Sequence, residues 1–183
     1  MENKQQKSSS IKKRIMFSRD DDYYFITYNI LIFLQYIGCI DKKSRFQDYK
    51  KLVYIIPFIS CTYLLDIYLN DIDTKRKFIG ENLQLFSRTY IKSRMKIKLI
   101  ASILFTLERN NLITLEKNTI RNSIDIWVNQ DKLPSSFTDS SLYKVEVEQT
   151  NRFKKLFPKI KIIKADTLVE NLFSSKGVTI WRV

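Results

Sequence analysis

The stretch RMKIKLIASILFTLERNNLITLEKN, residues 94–118, decides the fold. On a helical wheel, Ile97, Leu99, Ile100, Ala101, Ile103, Leu104, Phe105 and Leu107 cover about two-thirds of the circumference. Lys98, Ser102, Thr106 and Arg109 leave only a narrow polar stripe, so Leu104 and Leu107 are expected in the core. Asn110 and Asn111 suit the left-handed residue that closes a helix. LITLE then alternates as a strand, Lys117 and Asn118 turn, and TIR, residues 119–121, is the expected return strand. Helix, asparagine turn and hairpin are the local grammar of a winged helix, which places such a unit at about residues 83–122. A helix that reads DNA offers Arg, Lys, Asn or Gln to base edges along an exposed face. The narrow stripe here points instead to a core helix, or to core plus interface.

On the N-terminal side stand two apolar runs, RDDDYYFITYNILIFLQYIGCI (residues 19–40) and LVYIIPFISCTYLLDIYL (residues 52–69). Asp20, Asp21 and Asp22 ahead of the first are read as a helix cap, with a metal site as the alternative. The two runs are long enough to raise a transmembrane hairpin. Asn29, Gln35, Pro57 and Asp66 interrupt them, and a spanning helix wants about 20 predominantly apolar residues. Buried helices at the centre of a domain are the other reading. DKKSRFQDYKK, residues 41–51, reads as a charged, solvated linker. Residues 1–19 read as a flexible basic arm, without the apolar stretch of a signal peptide.

Composition narrows the function classes. In 183 residues there are 44% hydrophobic and 13% aromatic residues, enough for a folded domain with a real core. Three glycines and three prolines are too few turn residues for an all-β fold. The net charge of +13 suits an acidic partner: nucleic acid, a membrane surface or an acidic protein. The chain has no histidine, so Ser-His-Asp and Cys-His triads and HExxH zinc sites are excluded. Gly38, Gly80 and Gly177 stand alone, which excludes phosphate loops of the Walker or GxGxxG type. Cys39 and Cys61 lie in apolar runs and read as buried hydrophobes in a reducing compartment. No cofactor or metal is expected, nor an enzymatic activity, and the expected location is cytoplasmic.

On the C-terminal side, RFKKLFPKIKIIK, residues 152–164, carries six Lys or Arg in thirteen residues and no acid. Arg152, Lys154, Lys155, Lys159, Lys161 and Lys164 are candidates for contacts to a DNA backbone, with Phe153 and Phe157 interleaved for stacking. A helix and a strand with solvated charged edges is the competing reading. The last stretch reads as a helix behind Asp166, a stop at Gly177, and an apolar tail. Val178, Ile180, Trp181 and Val183 of that tail are candidates for a partner interface, because chain ends stay polar unless docked.

Three segments in order resemble one family. YNILIFLQYIG with LVYIIPFI looks like the paired N-terminal helices of the middle component of three-component ABC-ATPase systems. LIASILFTLERNNLITLEKN is similar to its helix and wing, and ADTLVENLFSSKGVTIW to its closing helix and tail. The charged insert after Leu69 and the basic segment 152–164 depart from that pattern. The resemblance implies an adaptor that bridges an SMC- or Rad50-like ATPase and an effector, often a nuclease, in Lamassu-type bacterial antiphage defence. It carries no catalytic residues over. The expectation is therefore a mainly α protein with a small β-wing, winged-helix-like, comprising the arm 1–19 and one helical domain over 20–183. Its partners would be the ATPase, the effector and DNA held through the complex, without a membrane. A stand-alone nucleic-acid-binding protein is the rival from another class, and a small membrane protein with a helical hairpin is the third.

Overall fold

The computed structural model describes residues 22–71, 76–134, 137 and 143–181. The arm 1–19, Asp20, Asp21, Val183 and most of the loop after Pro134 lie outside the described residues. Seven α-helices and one two-stranded antiparallel sheet are formed among the described residues. They are α1 (Tyr23–Tyr36), α2 (Lys51–Ser60), α3 (Thr62–Asn70), α4 (Gly80–Met95), α5 (Ile97–Arg109), β1 (Ile113–Asn118), β2 (Ser123–Val128), α6 (Lys144–Leu156) and α7 (Ala165–Leu172).

Helix α1 is the central rod. Asp22 caps it, accepting from the backbone N–H groups of Tyr24 at 2.9 Å and Phe25 at 3.2 Å. Six consecutive residues, Asn29 to Leu34, are buried, so this stretch of the helix is covered on all sides, while Tyr24 and Tyr28 nearer its start are exposed. Gly38 ends it in the left-handed region, φ 80°, with Cys39 N–H bonded back to Leu34 and Gly38 N–H to Gln35. This is the paired closure that a glycine makes cheap.

The second apolar run folds as α2 and α3, bent by 97° at the break around Cys61. Among the described residues no single helix is long and apolar enough to cross a membrane. An aromatic cluster ties α2 to the C-terminal half. Phe58 packs against Tyr68, Phe86, Phe153 and Phe173, with ring centroids about 6 Å apart.

Helix α5 follows α4 after Lys96 alone and buries Ile100, Ile103, Leu104 and Leu107. Its buried face is narrower than the wheel implied, because Phe105 points out and is 58% exposed. Asn111 closes α5 at φ 58° with the same paired bonds that Gly38 makes.

The hairpin departs from expectation at its second strand. β1 pairs with residues 123–128, from Ile113↔Val128 to Asn118↔Ser123, so residues 119–121 form the connecting turn and not a strand. The outer edge of β2 is covered too. Phe46 exchanges two backbone hydrogen bonds with Ile126, at 2.8 and 2.9 Å, Tyr49 N–H donates to Ile124, and Val128 N–H donates to Cys39. Residues 41–51 are therefore not a solvated linker, for Phe46 and Lys51 are fully buried. An unpaired edge beside a core is costly, and this segment covers it.

Candidate functional site

The segment 46–51 bonds on two sides. Towards the hairpin it pairs with β2. Towards the basic segment, Gln47 N–H donates to the Lys161 carbonyl at 2.9 Å. Lys51 Nζ donates to the carbonyls of Ile160 at 2.7 Å and Lys161 at 3.0 Å. The ammonium lies 4.2 Å from the centroid of the Phe46 ring. Burial pulls the Lys51 ammonium down to about 7, against the raising effect of Asp48. The sequence reading missed Lys51. The signal that would have found it is spacing: Lys51 stands four, seven and eight residues before Ile55, Phe58 and Ile59, all buried on α2.

On the hairpin side, Asp125 is 2% exposed and holds three donors. Its carboxylate accepts from Arg45 Nε at 2.8 Å, Asn118 Nδ2 at 2.8 Å and Asp48 N–H at 3.2 Å. Every lone-pair direction of a buried carboxylate needs such satisfaction.

The six basic candidates divide. Arg152 forms an ion pair with Asp66 at 2.5 Å and donates to Gln149 at 3.1 Å. Lys154 Nζ donates to the Tyr36 carbonyl at 3.3 Å, and Lys161 Nζ to the Gly38 carbonyl at 2.8 Å. Those three side chains are occupied in joining α6 and the following turns to α1 and α3. Lys155, Lys159 and Lys164 face solvent. Phe153 and Phe157 are core residues, so neither can stack on a base. Nor is there a strand here: α6 gives way to successive turns up to the start of α7.

The tail candidates also divide. Gly177, at φ 91°, turns the chain, and Val178 is buried in the core at 4% exposure, which removes it from any interface. Ile180 is half-buried against the same core. Trp181 alone of the three described candidates is an open surface residue, 57% exposed. Its backbone is nevertheless fixed. Trp181 N–H donates to the Tyr90 hydroxyl at 3.1 Å, and Arg94 Nη1 donates to the Trp181 carbonyl at 2.6 Å. The indole lies 6.1 Å from the Tyr90 ring, centroid to centroid. Ile91 and Met95 are also exposed on the last two turns of α4.

The two cysteines are unlike. Cys39 is buried and its thiol is pushed up to about 12 by burial, so it supplies no thiolate at neutral pH. Cys61 is exposed at the α2–α3 bend, contrary to its expected burial, because the bend turns it out of the core. Among the described residues no group of three or more Cys, Asp or Glu is placed to hold a metal ion. No family model, curated protein or solved structure matches the chain.

Proposed function

We propose that the chain is a non-enzymatic adaptor that bridges an SMC-like ATPase and an effector, a nuclease by the family resemblance, in Lamassu-type antiphage defence in the bacterial cytoplasm. One observation carries this reading: the Trp181 ring is open to solvent while its backbone is bonded on both sides to α4. A large apolar ring held in one place loses little freedom on docking, and Trp is the residue most often found to dominate interface energetics. We read α4, α5 and the hairpin as the winged-helix-like unit. In this reading it serves as scaffold, since α5 turns Ile100, Ile103, Leu104 and Leu107 inward and offers only Lys98 and Arg109 as exposed cations.

DNA is held by the assembly through phosphate contacts from Lys155, Lys159 and Lys164, which position without reading sequence. The stand-alone nucleic-acid reading uses the same three lysines and predicts strong, steeply salt-dependent affinity in the purified chain. Co-purification tests the adaptor. A tagged chain expressed with its neighbouring genes brings down the ATPase and the effector, Trp181→Ala does not, and K155E/K159E/K164E keeps the partners but weakens DNA binding by the complex. An isolated chain that binds DNA tightly and co-purifies with no protein supports the rival.

A further inference from the structure

Between α1, α2, α4 and the start of α5 lies a cavity of about 300 Å³. Its floor is apolar, built by Ile26, Val53, Ile56, Leu64 and Ile100. Its rim is basic: Arg88 and Lys92 stand four residues apart on one ridge of α4, and Lys96 follows at the α4–α5 junction. Among the described residues no acidic side chain lines the cavity. Among the described residues neither Arg88 nor Lys92 has an ion-pair partner.

A further polar group in the wall lacks a partner inside the protein. Ser93 is 1% exposed, lines the cavity, and its hydroxyl bonds to nothing. Helical Ser and Thr ordinarily satisfy themselves by donating to the carbonyl four residues back, and Thr89, one turn earlier in the same wall, does so to Leu85 at 2.9 Å. A buried hydroxyl with no partner calls for an explanation, and a bound ligand is one.

We propose that this cavity binds a single-chain amphiphile with an anionic head, the alkyl chain lying on the apolar floor and the head on Arg88 and Lys92, with the Ser93 hydroxyl as the buried donor. Size and charge both favour this occupant. A partner helix is about 10–12 Å across with its side chains and can only lie over a cavity of this size, whereas an alkyl chain enters it. Arg88 and Lys92, with no carboxylate among the described lining residues, select against cationic heads, and a neutral head leaves them unused.

The test uses the purified full chain and calorimetric titration with decanoate, decyl phosphate, decanol and decyltrimethylammonium, each below its micellar concentration. Decanoate or decyl phosphate binds at least tenfold more tightly than the alcohol or the ammonium. R88E/K92E, on the helix surface, weakens that binding at least tenfold, and K155E/K159E leaves it unchanged. Ser93→Ala weakens it severalfold without lowering Tm. No binding, equal binding of the four probes, or equal loss in both charge-reversed variants overturns the proposal. So does binding that appears only with anionic phospholipid vesicles. None of these variants alters Tyr90, Arg94 or Trp181, so the outcome is independent of the adaptor reading.

Discussion

Lys51 is fully buried with its ammonium on two carbonyls, and its acidity has a direct consequence for stability. Its folded value of about 7 lies below the ordinary 10.5. Between those values the unfolded chain holds a proton that the folded chain has released, so stability rises with pH. Below about 7 both states are protonated and the full cost of burying the charge is present. Cys39 acts oppositely above its ordinary value of 9.0, where the unfolded thiol ionises and the buried one does not. The clean window is therefore pH 7 to 9. Denaturant titrations there should show stability rising by up to about 1.4 kcal/mol per pH unit, and Lys51→Met should flatten the rise. A slope that survives Lys51→Met assigns the proton elsewhere. Lys51 was hard to read because Lys50 and Lys51 are adjacent and only one is buried. The choice between them is set by the phase of α2, which begins there. Asp22 as a cap and Asn111 as a helix stop were legible, since each acts on backbone within a few residues of itself, whereas the last α-helix ends at Leu172, before Gly177.

At the scale of elements, α5 was legible from its period and β2 was not. Leu104→Ala should cost about 2–5 kcal/mol, as for other fully buried leucines. Phe105→Ser, one residue along, should cost under about 0.5 kcal/mol if it behaves as an ordinary surface position. Thermal unfolding of the pair checks the phase of the helix, and similar costs would contradict it. The return strand and the segment 41–51 escaped sequence reading for one reason: their partners are distant. Phe46 pairs with Ile126, and Gln47 and Lys51 reach residues 160–161, so no local pattern announces them. Asp125 locks that arrangement through Arg45, Asn118 and the Asp48 amide. Asp125→Ala should raise hydrogen exchange at the Phe46 and Ile126 amides at least tenfold and leave the α1 amides protected. Uniform acceleration would mean that the hairpin edge does not open separately from the core.

For the whole molecule, a charge of +13 is only partly a surface for partners. Arg152, Lys154, Lys161, Lys51 and Lys176 are bonded within the protein, and composition cannot separate such cations from the free ones. The same division runs through the apolar tail, where Val178 belongs to the core and Trp181 to the surface. That division makes the adaptor reading testable at one side chain, because Trp181→Ala removes an exposed ring and leaves the backbone bonds to Tyr90 and Arg94 in place. The most direct measurement is the affinity of the purified chain for the SMC-like ATPase that the adaptor reading proposes as its partner, wild type against Trp181→Ala, with circular dichroism confirming that both are folded. An interface anchor contributes about 2 kcal/mol or more, so the substitution should weaken binding at least about thirtyfold. A folded Trp181→Ala chain that binds the ATPase within threefold of wild type, or a wild-type chain that does not bind it, would contradict the account.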